Sequence, residues 1–326
     1  MRVTVIGSGA TGARAARALR RLQPTAELVL VDRHRSKAEL VAAQLGSGVR
    51  ARSFLREGPP PDAVVLCVPA GAHEALAVEA LQLRCPRGVH RRFGGRRARL
   101  AHPGARGRAQ GAPTGGGGRL LARPELPAGA ARRIGRRRGG GAWRWPSRAR
   151  VGPIAPASTM RLVAPNWEWR DGQWLRRRGS SGRRLVWFPD LIGPLDCYRA
   201  GLPEPFLLQR SFPDVRRITA RMAATRRDRS PAGCRCCGPP HADGGPGGLL
   251  VELWGRRGGV AEVVVYGAAD NPATVAGTMA AVAVAQGDRV LPPAGACGYS
   301  DCRDPVAVLA TLRELGIEVS TFEGAA

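Results

Sequence analysis

The sequence predicts an α/β fold: a parallel sheet whose second half is degraded, followed by an α+β domain with an antiparallel sheet. Three observations predict it. A β-branched strand runs straight into a glycine loop, Gly7-Ser8-Gly9-Ala10-Thr11-Gly12, and then into a helix. A second strand, Glu27 to Asp32, ends in an acid twenty residues after Gly12. Far downstream, Asp171-Gly172 and Gly258-Gly259 sit between strand-like runs, as hairpin turns do.

The first strand, Arg2 to Ile6, alternates and is β-branched. Ala13 to Leu22, rich in Ala, Leu and Arg, reads as a helix that stops before Pro24. The spacing has a mechanism. Gly7 makes the tight turn, Gly9 admits a pyrophosphate to the backbone, and Gly12 lets helix and strand pack closely. The helix N-terminus, with Ser8, Ala10 and Thr11 around it, offers N–H groups and a positive dipole end to phosphate. Asp32 is placed to accept hydrogen bonds from ribose hydroxyls. Together these features define the first half of a Rossmann-type parallel sheet, and its cofactor is NAD or NADP. Asp32 repels a 2′-phosphate, whereas Arg33, Arg35 and Lys37 can pair with one, so the choice stays open. Ser36 to Leu45 follows as a helix and Val49 to Arg52 as a strand. Asp62 to Pro69 reads as a buried parallel strand. Its end, Val68-Pro69, lies at the carboxyl edge of the sheet, where cofactor and substrate meet. A helix from Glu74 to Leu83 comes next. His73 is a candidate for the nicotinamide side and equally a helix-capping or surface histidine. Cys67 reads as a small core residue.

The net charge of +26 points at first to a nucleic-acid partner. Yet Lys37 is the only lysine among 51 basic residues, and Gly, Ala and Pro are abundant, a bias of GC-rich codons. The charge is also local: Arg84 to Arg150 holds nineteen arginines against one acid, Glu125. From Arg91 to Pro165 hydrophobic periodicity stops, and Gly115 to Gly118 and Arg136 to Gly141 are low-complexity runs. A disordered linker, a nucleic-acid-binding insert and a reading-frame error all fit. The frame error fits best. Shifted by one base, codons permitted for Arg91 to Arg99 encode a strand and an acidic helix start, as the next βα unit requires. Ser230 to Gly238 behaves in the same way. Cys234, Cys236 and Cys237 with His241 lack the paired C-x-x-C spacing of structural zinc, so no metal is expected. Phe93, Trp143 and Trp145 are the only aromatics between Arg84 and Arg150, too few for the stacking that single-stranded nucleic acid needs.

Pattern returns near Trp167. Arg170 to Trp174 reads as strand–turn–strand. Leu185 to Asp190 and Gly193 to Arg199 mix loop and strand, and Val215 to Arg221 alternates apolar residues with arginine. Leu249 to Trp254 and Val260 to Tyr266 form a hairpin. Pro272 to Ala285 and Pro305 to Leu315 read as helices, and Glu318 to Phe322 as a strand. Asp190, Asp196, Tyr198 and Arg199 cluster in sequence. Asp196 and Tyr198, with His73, are the candidates for catalysis, with a turn acid and an interface aromatic as the plainer alternative. Arg226 to Arg229 is a solvated charge run.

The N-terminal residues resemble the saccharopine dehydrogenase-like family of NAD(P)-binding oxidoreductases. The related glucose-fructose oxidoreductase and inositol dehydrogenase family is the second candidate. Both open V-x-V-I-G-x-G-x-x-G, place an acid after the second strand, and end the fourth strand in V-P or T-P with His following. Those positions here are Gly7, Gly9, Gly12, Asp32, Pro69 and His73. The second family continues with Glu-Lys-Pro, absent here, which favours the first. The likeness spans about residues 1–83 and 168–326. It implies an oxidoreductase that transfers hydride at a C–N or C–O centre of an amino-acid-like substrate. The alternative is a non-catalytic nucleotide-binding protein with an Arg-rich nucleic-acid-binding segment. The expected domains are 1–90, the first half of the NAD(P)-binding unit; 91–166, the Arg/Gly-rich segment; and 167–326, a substrate and dimerisation domain. No run of eighteen apolar residues occurs, and the first strand starts directly after Met1. A cytoplasmic enzyme with a small-molecule substrate is expected, and a homodimer is allowed for. With eight cysteines and no secretory signal, a disulfide framework is not expected.

Overall fold

The computed structural model describes residues 1–69, 72–84, 138–144, 161–190, 192–224, 245–292 and 297–325. The chain divides into two compact units. The first is Met1–Pro124 with Ala273–Gly298, and the second is Glu125–Pro272 with Tyr299–Ala326.

The first unit is built on four parallel strands, β1 (Arg2–Ile6), β2 (Glu27–Val31), β3 (Val49–Arg52) and β4 (Ala63–Leu66), in the order β3-β2-β1-β4. Helices α1 (Ala10–Leu22), α2 (Arg35–Leu45) and α3 (His73–Arg84) alternate with them. Alternation sends successive side chains to opposite faces, and both faces are covered. Val3, Val5, Leu28 and Leu30 pack with Ala15, Ala16 and Leu19 of α1. Ile6, Val29, Val31 and Leu66 pack with Leu55 and Ala77 on the other side. Leu19, Leu28 and Leu30 are fully buried, each worth roughly 1.5–3 kcal/mol of transfer from water. This half of the fold follows the sequence reading closely. The first helix starts at Ala10 rather than Ala13, because the glycine loop already takes helical geometry there.

The expectation of one continuous domain over 167–326 is corrected by helix α5 (Pro272–Val290). From Ala273 onward it belongs to the first unit, where Ala280 and Ala281 join the core beside α1. Small residues make this possible. A Cβ at position 277 would stand 2.7 Å from both the Ala15 nitrogen and the Thr11 carbonyl oxygen, so only Gly277 allows the approach. Arg14 Nε adds a 2.9 Å hydrogen bond to Thr274 Oγ1.

The second unit holds β5 (Arg138–Arg144), β6 (Asn166–Arg170), β7 (Gln173–Arg177), β8 (Arg184–Trp187), β9 (Pro194–Arg199), β10 (Arg217–Ala223), β11 (Gly247–Arg257), β12 (Val260–Asp270) and β13 (Ser320–Ala325). Among the described residues they form one nine-stranded sheet. The path β13-β12-β11-β5-β10-β6-β7 is joined by β9 on β10 and by β8 on β9. All pairings are antiparallel except β5 with β10. Asp171 and Gly172 both take positive φ, 46° and 87°, as a two-residue hairpin turn requires, and so set Arg170 opposite Gln173. Helix α4 (Glu204–Ser211) follows β9, and α6 (Pro305–Glu314) precedes β13. Helix α6 is capped by Asp304, whose Oδ1 accepts from the Ala307 N–H at 3.0 Å, with Pro305 at the first turn.

Strand β5 is a second correction, because it lies inside the segment expected to lack regular structure. Its three successive glycines carry no strand pattern. Its neighbours β10 and β11 do not pair with each other and present backbone groups that need partners; β5 supplies them on both edges. The proposed frame-shifted stretches Arg91 to Arg99 and Ser230 to Gly238, and Cys234, Cys236, Cys237 and His241, lie outside the described residues. So does the charge run Arg226 to Arg229. No described helix is long and apolar enough to cross a membrane.

Candidate cofactor site

The carboxyl end of β1 delivers the chain into the glycine loop. Gly7 takes φ +98°, and its N–H donates to the Val31 carbonyl at 2.7 Å. A Cβ there would lie 2.5 Å from the Cys67 carbonyl oxygen, and one on Gly12 would overlap the Gly7 carbonyl. Both glycines are therefore steric necessities of the folded chain. Gly9 is different: a Cβ built on it meets nothing within 4 Å. The space over Gly9 is open, as a cradle for an approaching group must be. Gly9 caps α1 with extended backbone, no side chain caps the helix, and no acid stands in its first turn. The first N–H groups and the positive dipole end are left for an anion.

Asp32 closes the loop from the side. Its Oδ2 accepts from the Ser8 N–H at 2.8 Å, and its Oδ1 accepts from the His34 N–H at 2.9 Å. The carboxylate thus ties the glycine loop to the turn after β2, an arrangement that spacing alone does not reveal. A carboxylate offers about four acceptor positions, so two remain for hydroxyl donors. Ser8 is 8% exposed, and its Oγ has no hydrogen-bond partner among the described residues. Such an orphaned buried hydroxyl costs free energy unless something completes it. An open cradle, an uncapped helix end, an acid at the loop and an orphaned hydroxyl together fit the diphosphate and ribose of a dinucleotide.

Arg33 is exposed, whereas Arg35 is held by Glu39 at 2.8 Å. Beside the loop, Val68 and Pro69 follow β4. The Val68 carbonyl accepts a 2.6 Å bond from His73 Nε2, which ties the start of α3 to the residue that follows β4. Burial pushes the Cys67 thiol up to about 12, which leaves it protonated and unreactive, as a core residue.

In the second unit Asp196 is paired with Arg183 at 2.8 Å, and that bond raises the Arg183 guanidinium's hold on its proton. Tyr198, two residues on, is 6% exposed. Asp190 is exposed. Arg199 Nε donates to buried Glu168 at 2.7 Å. The structure therefore brings Asp196 and Tyr198 onto one strand, while His73 belongs to the first unit. Sequence reasoning missed Glu168 and Arg221. The alternation Arg217-x-Thr219-x-Arg221, with Glu168 two residues before Arg170, was the available signal. Among the described residues no group of three metal-ligating side chains gathers.

Residues 1–89 match the GFO/IDH/MocA oxidoreductase family, NAD-binding Rossmann fold. The match covers the four strands and the glycine loop of the first unit and falls on the second of the two families the sequence resembles. The whole chain is similar in fold to apo, histidine-tagged saccharopine dehydrogenase (L-Glu forming) from Saccharomyces cerevisiae, the first of the two. That similarity has a TM-score of 0.61 at 11% identity and covers 99% of this chain and 100% of that one. GenD2 from gentamicin A biosynthesis, solved in complex with NAD, aligns over 100% of this chain and 97% of its own at 16% identity and a TM-score of 0.41. No functionally curated protein matches the chain in sequence.

Proposed function

We propose that this chain is an NAD-dependent oxidoreductase that moves hydride between the nicotinamide and a C–N or C–O carbon of an amino-acid-like substrate. One observation carries the reading. The open loop at the uncapped end of α1, tied by Ser8 to Asp32, presents donors and an acceptor in the order a dinucleotide needs. NAD, when bound, supplies the hydride chemistry. The chain's own residues hold and orient it. Gly7, Gly9 and Gly12 shape the loop, while Ala10 and Thr11 offer backbone N–H groups to the pyrophosphate. Ser8 Oγ gains its missing partner, and Asp32 accepts from ribose, with Arg33 at the rim. Val68 and Pro69 border the nicotinamide end, and His73 acts there as a positioning residue through the Val68 carbonyl. Asp196, paired with Arg183, and Tyr198 are the groups proposed to carry a proton.

Asp32 at the loop and the engagement of Arg35 by Glu39 favour NAD over NADP. The domain roles follow. Residues 1–90 with Ala273–Gly298 hold the nucleotide, and the rest of 167–326 serves substrate and dimer contacts. We place the enzyme in the cytoplasm as a homodimer acting on a small molecule, not on nucleic acid. Sedimentation at twice the 34.5 kDa chain mass would test the assembly. Titration of the full chain by NADH and NADPH fluorescence tests the function. NADH is expected to bind about tenfold or more tightly than NADPH, and Asp32→Asn is expected to narrow that gap. A folded sample that binds neither nucleotide would remove the reading. Amino-acid-dependent reduction of NAD then assays the substrate class.

A further inference from the structure

The second unit carries a charge arrangement that the nucleotide reading does not use. Arg199 on β9 and Arg221 on β10 stand directly opposite each other across an antiparallel pair. Like charges in that position repel. The two guanidiniums converge on one backbone position. Arg221 Nε donates to the Gly182 carbonyl at 3.2 Å, and the Arg199 guanidinium lies against the Gly182 Cα. Arg199 is compensated by Glu168, whose Oε1 accepts from its Nε at 2.7 Å, and Arg177 approaches the same carboxylate at 3.8 Å. Arg184 is taken by Glu252 at 2.8 Å. Arg221 makes no ion pair among the described residues. Its other bond, from Nη1 to Thr219 Oγ1, is long at 3.4 Å and again to a neutral group. It is half-buried, and burial together with Arg199, Arg184 and Arg217 weakens its hold on its proton, with Glu168 alone opposing.

A guanidinium has five donors and stays charged, so leaving it half-buried among like charges costs free energy unless an anion completes it. Among the described residues, the two Nη2 protons and one on Nη1 of Arg221 meet no close acceptor, and the terminal nitrogens of Arg199 remain available, since its Nε is the atom bound to Glu168. We propose that Arg199 and Arg221, with Thr219 Oγ1, form a binding site for a small oxyanion, a carboxylate or a phosphate group, on this face of the sheet. Two forked donors side by side suit a planar carboxylate or one edge of a phosphate. The site is independent of the nucleotide loop and needs no nucleotide to be measured.

The test is calorimetric titration of the nucleotide-free full chain with inorganic phosphate and, separately, with malonate, with chloride keeping ionic strength equal. At least one anion is expected to bind saturably. Arg221→Gln is expected to weaken that binding about tenfold or more, and Arg221→Lys, which keeps the charge but loses the fork, to weaken it less. Arg56→Gln, an exposed partner of Glu79 in the first unit, is expected to leave it unchanged. Stronger phosphate binding identifies a phosphate ester as the source, and stronger malonate binding a carboxylic acid. If Arg221→Gln fails to fold, the lysine variant and the wild-type titration decide. Saturable binding absent for both anions, or equal in wild type and either Arg221 variant, overturns the proposal.

Discussion

Gly9→Ala separates the cofactor role of the glycine loop from its structural role. The added methyl meets nothing within 4 Å in the folded chain, and the backbone there has φ −76°, which alanine accepts. Losing glycine's freedom in the unfolded state stabilises by about 0.4–1 kcal/mol. In a chain of this size that raises the melting temperature by roughly 1–3 °C. Binding moves the other way. The methyl fills the space through which a pyrophosphate reaches the N–H groups of α1. Losing one or two charge-assisted hydrogen bonds costs roughly 2–4 kcal/mol, or roughly 30- to 1,000-fold in the NADH dissociation constant. Gly12→Ala provides the contrast, because its Cβ overlaps the Gly7 carbonyl. That variant is expected to lose about 1–3 kcal/mol of stability as well as binding. Thermal melts and NADH fluorescence on both variants form the assay. Unchanged NADH affinity in Gly9→Ala would refute the placement of the pyrophosphate, and a fall in stability matching Gly12→Ala would refute the open cradle.

Three further outcomes are expected. The Cys67 thiol, raised from 9.0 to about 12, holds its proton in the folded state where the unfolded chain gives it up. Its stabilisation is complete below pH 9 and shrinks by about 1.4 kcal/mol per pH unit from there toward pH 12. Chemical denaturation at stepped pH should show this slope in the wild type and lose it in Cys67→Ala; equal slopes would count against burial as the cause. Gly277→Ala forces a Cβ against the backbone of α1 and is expected to cost about 1–3 kcal/mol, read as a lowered melting temperature; an unchanged melt would mean that α5 does not press on α1. Resequencing the gene through codons 91–99 and 230–238 is expected to find a displaced frame, and a confirmed unbroken frame would dismiss that explanation of the Arg-rich text.

What could be read from the chain depended on the range of the forces involved. The strands and helices up to Arg84 were legible because their signals are local: alternation, a glycine turn, and a helix stopping short of Pro24. The hairpin at Asp171-Gly172 was legible for the same reason, since its φ values are a property of the dipeptide. Strand β5 was not, because Gly139, Gly140 and Gly141 are drawn into the sheet by the unpaired edges of β10 and β11, which lie elsewhere in sequence. The allegiance of α5 was hidden too. An apolar helix does not declare which sheet it covers until Gly277 meets Thr11 and Ala15. At the site, the glycines and Asp32 were readable by spacing. The bonds from Ser8 and His34 to Asp32, and the facing of Arg199 on Arg221, belong to tertiary geometry.

The return of α5 has a consequence for the life of the protein. Arg14 and Thr274 are 260 positions apart, yet they share a bond in the unit that carries the nucleotide loop. On the ribosome that unit cannot be completed when its own strands emerge. It waits with one flank of α1 bare until α5 has been made. A messenger that stops early, or slips out of register and never recovers before codon 273, yields a nucleotide fold without its last wall. Synthesis through α5 is thereby what covers this apolar flank of α1.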